Sequence, residues 1–261
     1  MERDRVVEFD DRDIIGGALP GGTNTSHTIA VGHLTALLAA VPTGAQRADY
    51  ESAAVEQNVL GRATYEGRRR TFRYLRELYI LERRSVLFRG LRDLWDEDLE
   101  ARAQLAGLAA LARDSAFRAT SHKLLRLPPG AGATSEMLAG FVTEVFPSTY
   151  NADTAAKIGR NTASSWTQTG HLVGRTTKTR AAVGAKPVSM AYAVFLGSLQ
   201  GIRGQALYDT TWIRFLDATR REAELVAERA SQRGYLELRS AGGVVEIGFR
   251  HLMRPMEGQD A

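Results

Sequence analysis

One long segment of the chain carries only positive charge. Between Thr154 and Lys186 there are six lysines or arginines and no aspartate or glutamate. Lysine and arginine bind phosphate groups, and Asn, Gln and Arg side chains can reach base edges. The segment is therefore typical of a nucleic-acid-binding surface. The alternative interpretation is the solvated polar face of an ordinary core helix.

The first half of this segment has the periodicity of an α-helix. Ala155, Ile158 and Trp166 share one face of a 3.6-residue period, and the polar residues fall on another face. Gly170 follows, where a left-handed helix cap is expected, and a basic, Thr- and Gly-rich stretch then runs to Pro187. The predicted nucleic-acid contacts in this segment are Lys157, Arg160, Asn161, Ser164, Gln168, Arg175, Lys178 and Arg180.

A row of arginines marks a second candidate surface, on a helix predicted from Thr64 to about Glu82. Nine arginines and three glutamates occur between Arg62 and Arg89. Exposed arginines in such a row repel one another unless an anion or nearby carboxylates neutralise them. The alternative is a packed helix whose arginine stems cover apolar surface. The predicted nucleic-acid contacts in this row are Arg62, Arg69, Arg73 and Arg76.

The sequence contains no recognisable catalytic, metal-binding or cofactor-binding pattern. Its five histidines lack metal-ligand spacing, the acids are scattered, and no cysteine is present. The glycine-rich stretch Gly16–Gly22 matches neither phosphate-binding fingerprint, and no G-x-S-x-G elbow occurs. These observations predict a protein that is not an enzyme and that holds no metal and no cofactor.

The distribution of charge and apolar residues indicates a soluble globular protein with an acidic partner. The chain has 261 residues, 44% of them hydrophobic, and a net charge of +4. Residues 1–13 carry a net charge of −3, so the middle of the chain is strongly basic. The longest apolar run, Thr28–Val41, is shorter than the roughly 20 residues that a membrane span needs. With no visible signal peptide, the prediction is a cytoplasmic protein without a membrane partner.

The pattern of elements predicts a mainly α fold: a multi-helix bundle with helix-turn-helix or winged-helix-like elements and a small C-terminal β-hairpin. An amphipathic helix at Asp217–Arg233 ends at Gly234, and two alternating strands follow around the turn Ser240–Gly243. Helix, glycine, strand, turn and strand form the end of a winged-helix unit. The Pro- and Gly-rich stretch after Leu127 is the clearest linker. The predicted divisions are an acidic tail and glycine-rich loop (1–25), an N-terminal helical subdomain (26–127) and a C-terminal helical, winged-helix-like subdomain (134–261).

Two blocks of the sequence resemble BrxA, a small component of the BREX phage-defence systems of bacteria. The first block includes Ser26–Leu38, Glu56–Thr64 and the Arg-rich Arg68–Tyr79, and the second runs from Thr154 to Val173. The resemblance covers roughly residues 26–175. The loop at 127–133 and the length of the last stretch depart from the family. The resemblance implies a mostly helical protein that binds double-stranded DNA, has no known catalysis and works with other defence-system proteins.

Three hypotheses of function follow. The first is a DNA-binding accessory protein of an anti-phage system, which contacts the DNA backbone through both sets of basic residues. The second is a protein-interaction scaffold whose arginines meet an acidic partner protein. The third is a winged-helix transcription regulator, which binds one operator tightly and forms a dimer. Glutamates on the Asp217–Arg233 helix disfavour that helix as the groove reader. The first hypothesis requires that the two basic regions form one surface.

Overall fold

The computed structural model describes residues 27–175 and 177–254, and the predicted acidic tail and loop at 1–25 lie outside them. The described chain is mainly helical with a small antiparallel hairpin near its C-terminal end, so the predicted fold class is confirmed. The first helices are α1 (Val31–Ala40), α2 (Arg47–Val55), α3 (Tyr65–Tyr79), α4 (Val86–Leu94), α5 (Arg102–Arg113) and α6 (Ser115–Leu124). The later helices are α7 (Ser135–Val145), α8 (Ala152–Gln168), α9 (Pro187–Leu199), α10 (Thr211–Phe215) and α11 (Arg220–Gln232). Short 3₁₀ helices cover Leu99–Ala101 and Gly204–Asp209.

Three short strands join α6, α7 and α8 into one unit. The strands are β1 (Gly132–Ala133), β2 (Leu172–Val173) and β3 (Lys178–Arg180), in the antiparallel order β1–β3–β2. The chain therefore runs helix, strand, helix, helix and then a two-stranded hairpin whose last strand pairs with the first. This is the topology of a winged-helix unit, with α8 in the position of the recognition helix. We call residues 115–180 the winged-helix unit.

The three helices of the winged-helix unit share a small core of their own. Ala116 of α6, Val142 and Phe146 around the end of α7, and Ile158 of α8 pack together. Trp166 of α8 is fully buried, and its indole N–H donates a 2.8 Å hydrogen bond to the Thr120 hydroxyl of α6. Because that donor is satisfied, the large ring can pack at the base of the unit without loss of a hydrogen bond.

The predicted C-terminal hairpin forms, but not as part of a winged-helix unit. Its strands are β4 (Glu237–Ala241) and β5 (Val244–Gly248), which pair antiparallel with Leu238 opposite Ile247. Within the described chain these strands form a sheet of two. The winged-helix sheet has three strands, and in the described chain the three-stranded sheet lies within residues 132–180. Placing the winged-helix unit at the C-terminal end of the sequence was therefore wrong.

The main core surrounds α9, whose residues from Val188 to Gly197 are all buried. Apolar residues from α1 to α5 and from α9 to α11 contribute to the same core. The loop after Leu127 is hydrogen bonded to the winged-helix sheet, since the Gly130 amide donates to the Arg180 carbonyl and the Arg180 amide donates to Ala131, both at 2.8 Å. The division into subdomains at 127–134 remains a prediction.

Candidate nucleic-acid interface

The position of α8 is set by its N-cap and by a close contact with α7. The Asn151 side chain accepts a 2.8 Å hydrogen bond from the Thr154 amide, which satisfies one of the free amides at the helix start. A Cβ atom added to Gly159 would lie 2.2 Å from the Ser135 carbonyl oxygen. The two helices therefore approach to a distance that a larger residue at this position does not allow.

The outer face of α8 presents the first half of the predicted contacts. Lys157 and Arg160 are exposed, and Asn161 and Ser164 are half-buried. The helix buries Ile158 and Trp166 on the opposite face, as the 3.6-residue period predicts. Among the predicted residues of this helix, the two cations are thus the most accessible to a polyanion.

Gln168, at the end of α8, has a structural role in place of the predicted base contact. Its side-chain oxygen accepts a 2.9 Å hydrogen bond from the Val31 amide at the start of α1. One turn earlier, the Ser165 hydroxyl accepts a 3.1 Å hydrogen bond from the Ile29 amide. The end of α8 is therefore covered by residues 27–31 and does not present Gln168 as a free groove reader.

The turn between β2 and β3 forms the wing. Gly174 has φ 104° there, and an added Cβ would lie 2.1 Å from the Thr177 carbonyl oxygen, so the turn requires glycine. Arg175 is exposed beside it. The Lys178 ammonium donates hydrogen bonds to the Thr167 hydroxyl at 2.9 Å and to the Gly174 carbonyl at 3.2 Å. The hydrogen bonds of Lys178 thus hold the wing against α8, and Arg175 is the exposed cation of the wing.

Arg180 was predicted to contact nucleic acid, and the structure contradicts this. Its side chain is 2% exposed and forms an ion pair with Asp217, whose side chain is 15% exposed. The other carboxylate oxygen of Asp217 accepts a 3.0 Å hydrogen bond from the Val183 amide. The pair joins the winged-helix sheet to the chain after α10. A charge this deeply buried needs such a partner, so it is not available to DNA.

The arginine row begins at a turn before α3 that side-chain hydrogen bonds stabilise. The Asn58 side chain accepts a 2.8 Å hydrogen bond from the Arg62 amide, and the Arg62 Nε donates at 3.0 Å to the Thr71 hydroxyl. The Thr64 hydroxyl caps α3 by accepting from the Gly67 amide. Arg62 is exposed, and its guanidinium is oriented by α3.

The other arginines of the row lie on two neighbouring sides of α3. Arg69 and Arg73 lie 3.9 Å and 3.8 Å from Glu66 and Glu77, but their side chains are 60% and 57% exposed. Ion pairs this exposed contribute little to stability, so both guanidinium groups can exchange these carboxylates for a ligand at little cost. With 3.6 residues per turn, Arg69, Arg73 and Arg76 lie within about 60° of one another, so the predicted stripe follows one side of α3. Arg70 lies about 60–120° around the helix from these three arginines, on the neighbouring side.

Residues 27–31 lie between α3 and α8 and connect them. The amides of Ile29 and Val31 are bonded to α8, as described above, and the Ile29 carbonyl accepts a hydrogen bond from the buried Tyr79 hydroxyl of α3. The His27 ring stacks on the ring of Tyr74, also on α3. This segment therefore fixes the position of α3 relative to the winged-helix unit.

The two basic regions meet at His27. Burial and then the positive charges of Lys157, Arg73, Arg70 and Arg62 together lower the pKa of His27 to about 4. Arg62 and Arg70 line one cavity with His27, and the Arg73 guanidinium lies 5.2 Å from the centre of the Tyr74 ring that His27 contacts. Lys157 of α8 is near enough for its charge to act on the same imidazole. We call Arg62, Arg70, Arg73 and Lys157 the cationic cluster.

Arg160 lies on the other side of α8, toward α7. It lines a shallow groove with Glu136 and Ala139. The pKa of Glu136 is lowered, first by hydrogen bonds at the start of α7 and last by the charge of Arg160. The basic surface therefore extends across α8 from the cationic cluster to the α7 side, where Glu136 partly offsets it.

Sequence reasoning missed three residues of this surface. Arg69 was predicted as a contact and Arg70 was not, and His27 and His33 were considered only as metal ligands, whose spacing they lack. His33 is half-buried near Arg62, and burial followed by that charge lowers its pKa. The two histidines, six residues apart, were the available signal in the sequence. No local sequence pattern indicates that α3 lies beside them.

The described residues show neither a metal cluster nor a membrane span. Across 27–175 and 177–254, no group of three or more His, Cys, Asp or Glu side chains is placed to hold a metal ion. In the same ranges, no helix combines the length and apolarity needed to cross a bilayer. Comparisons with models of known protein families, with curated proteins and with solved structures found no match.

Proposed function

We propose that the protein binds double-stranded DNA as a non-enzymatic accessory protein. The observation that carries the proposal is the winged-helix unit, which presents a basic helix beside a cationic cluster shared with α3. In this arrangement α8 lies in the major groove, where a helix fits. The cationic cluster and Arg175 contact the flanking phosphates, which supply most of the affinity.

Base contacts in the proposed complex come from the outer face of α8. Asn161 and Ser164 are half-buried and lie between Lys157 and the end of the helix. Asn pairs best with adenine, whose N6 and N7 match the two groups of an amide. Asn161 and Ser164 are the two residues proposed to contact bases. We therefore expect the phosphate contacts to supply most of the affinity and the base contacts to add a weak preference for sequence.

The experiment is fluorescence anisotropy with a labelled duplex at several salt concentrations. Six cations are proposed to contact phosphates: Arg62, Arg70, Arg73, Lys157, Arg160 and Arg175. They predict a slope of about −5 for log K against log salt. A chain with Arg70→Ala, Arg73→Ala, Lys157→Ala and Arg160→Ala is expected to bind at least about 100-fold more weakly, with a slope closer to zero by about 4.

The matched control replaces two arginines in the C-terminal part of the chain. Arg229 on α11 and Arg239 on β4 are exposed and belong to neither basic region. The chain with Arg229→Ala and Arg239→Ala is expected to bind DNA within about twofold of the parent. Equal losses in both variants, or binding that does not change with salt, reject the proposed interface.

The proposed biological setting is a BREX-type phage-defence system in a bacterial cytoplasm, with other defence-system proteins as partners. This part rests on the resemblance to BrxA. Phage plating on the native host tests it, with the gene deleted and then restored. Restored resistance with the parent chain, but not with the quadruple variant, supports a DNA-dependent defence role. Equal plating in all strains rejects it.

A winged-helix transcription regulator is the second candidate, because the winged-helix topology is common to both functions. The two candidates differ in sequence selectivity. Selection from fragmented genomic DNA, followed by sequencing, is expected to recover dispersed fragments for a defence accessory protein. Recovery of a single upstream operator favours the regulator.

A further inference from the structure

A cavity of about 300 Å³ opens between the segment 27–33 and α3. Its polar wall is formed by His27, His33, Arg62 and Arg70, and its apolar wall includes Leu75 and Leu78. This volume is at the lower end of the range for small-molecule sites. The cavity thus combines a cationic rim with an apolar floor, which suits a ligand that has an anionic end and a flat apolar body.

Arg62 and Arg70 at the rim carry charges that the described part of the chain does not neutralise. Among the described residues, no carboxylate forms an ion pair with Arg62 or Arg70. The Arg62 Nε is bonded to Thr71, which fixes the guanidinium plane and leaves its terminal nitrogens for a forked contact. Two arginines near one histidine repel one another, and an anion at this position relieves that repulsion.

His27 contributes a polar atom that is buried without a partner. Its Nε2 has no hydrogen-bond partner in the described structure, and its ring is held by stacking on Tyr74. Buried polar nitrogens are normally paired, because an unpaired one costs free energy. A phosphate oxygen in the cavity would accept from this nitrogen once it carries a proton.

We propose that this cavity binds a phosphate-bearing ligand of nucleotide size, with the phosphate held by Arg62, Arg70 and His27 and the base near Leu75 and Leu78. The phosphate has two sources with the same chemistry: a free nucleotide or the 5′-terminal nucleotide of a DNA strand. This inference goes beyond the proposed duplex interface, although both use Arg62 and Arg70. Nucleotide binding stands even if duplex binding fails.

Binding of a dianion is coupled to protonation of His27. In the empty cavity, burial and the charges of Arg62, Arg70, Arg73 and Lys157 keep its pKa near 4. A bound dianion opposes those charges and raises the pKa, so the complex binds a proton that the free protein does not. The affinity for a ligand that remains a dianion over this range, such as sulfate, therefore rises as the pH falls from 7 toward 5. His33, on α1, is expected to act in the same direction, because Arg62 also lowers its pKa.

The experiment measures binding of AMP, inorganic phosphate and sulfate to the full chain by calorimetry, at pH 7 and pH 5. Sulfate stays fully ionised over this range, so its pH dependence reports the protein alone. We expect AMP to bind more tightly than phosphate, and sulfate to bind several-fold more tightly at pH 5. The second arm compares duplexes with 5′-phosphate and 5′-hydroxyl ends.

Arg69 and Arg70 provide a matched pair of variants, because they are consecutive, exposed residues of one helix and only Arg70 lines the cavity. Arg70→Ala is expected to weaken AMP binding at least about tenfold, as loss of a charge-assisted hydrogen bond does. Arg69→Ala is expected to leave it within about twofold, and Arg70→Lys to restore part of it.

The outcomes separate the two sources. AMP binding that is lost only in Arg70→Ala supports the cavity with a free nucleotide as ligand. Preference for a 5′-phosphate end, also lost only in Arg70→Ala, supports the cavity with a DNA end as ligand. If neither AMP nor the 5′-phosphate has an effect, or if both variants lose binding equally, the proposal is overturned. Unchanged thermal stability of Arg70→Ala confirms that the variant is folded.

Discussion

Two regions of the chain share one local pattern but have different structures. In each, a helix ends at a glycine in the left-handed conformation, and an aromatic residue, a buried leucine and a hairpin follow. The first region is Gly170-His171-Leu172 after α8, and the second is Gly234-Tyr235-Leu236 after α11. Only the first acquires a third strand, β1, and becomes a winged-helix unit. The local pattern therefore predicts a hairpin but not its partners.

The two helices also differ in how their charges are used. Arg220 on α11 is paired with Glu224 at 3.2 Å and with Asp209 at 3.3 Å. On α8, Lys157 is exposed and lies with three arginines near His27. The charge of Arg220 is thus shared with two carboxylates of its own region, whereas Lys157 lies near cations from a second helix. This grouping of cations from two helices distinguishes the candidate interface from α11.

The largest expected effect concerns an arginine in each hairpin. Arg180→Ala leaves Asp217 buried without its partner, so the free energy of unfolding should fall by about 3–5 kcal/mol. Arg239→Ala, on the exposed surface of β4, should change it by less than about 0.5 kcal/mol. Urea denaturation measures both. Similar effects of the two substitutions would show that the Arg180–Asp217 pair does not hold the first hairpin in place.

The next effect concerns helix packing. Gly159→Ala forces a methyl group against the Ser135 carbonyl and should destabilise the protein by about 3 kcal/mol. On α11 the buried positions Ala223 and Ala227 already carry that methyl group. Gly140→Ala, on α7 where an added Cβ meets nothing within 4 Å, is the control and should stabilise the protein by about 0.5–1 kcal/mol. Thermal melts of both variants decide whether α8 packs against α7 too closely to accept the methyl group that α11 carries.

The third effect is a dependence on pH that the second region lacks. His171 is fully buried, its Nε2 lies 2.6 Å from the Phe215 carbonyl, and burial lowers its pKa to about 4. The unfolded chain therefore binds a proton near pH 6.5 that the folded chain does not. Stability should fall as the pH drops, by about 2 kcal/mol between pH 7 and pH 5 from this residue.

The pH effect is isolated by comparing the parent with His171→Gln. Other groups titrate in the same window: His27 acts in the same direction, and Asp114, whose pKa burial raises to about 6, acts in the opposite one. These contributions cancel in the difference between the two proteins. Urea denaturation at pH 7 and pH 5 should show a smaller loss for the variant. An identical loss assigns the acid sensitivity elsewhere.

The smallest effect concerns the two hairpin turns. Arg175 lies in the wing, whereas the turn between β4 and β5 is formed by Gly242 and Gly243, without charge. Arg175→Ala should weaken duplex binding several-fold and bring the salt slope closer to zero by about 1, with no loss of stability. Introducing Gly243→Arg in the second turn should not increase DNA affinity. If it does, binding depends on total charge and not on the winged-helix unit.

Much of the fold follows from local patterns. The predicted helix from Thr64 matches α3, whose first turn is capped by Thr64 itself, and the C-terminal hairpin pairs around the predicted glycine turn. These elements have long periodic stretches or strong turn residues. The winged-helix sheet was not predictable in this way, because β1 and β2 have two residues each and leave no alternation to detect.

The candidate site was predictable only in part for a different reason. Lys157 and Arg160 follow from helical spacing, because the apolar face of α8 fixes its outer face. Choosing Arg70 over Arg69 requires knowing which side of α3 faces residues 27–31. That side is set by bonds such as the one between Ile29 and Ser165, which are 136 residues apart in the sequence. Burial of Arg180 depends likewise on the distant Asp217.

Residues 27–31 hold α3 and α8 at a fixed distance from each other. Their backbone is hydrogen bonded to Ser165 and Gln168 of α8 on one side and to Tyr79 of α3 on the other. A stiff double helix can match a fixed spacing without further ordering, whereas a flexible single strand must lose conformational freedom to do so. In the proposed complex, this fixed spacing favours a rigid duplex over a single strand independently of any contact with the bases.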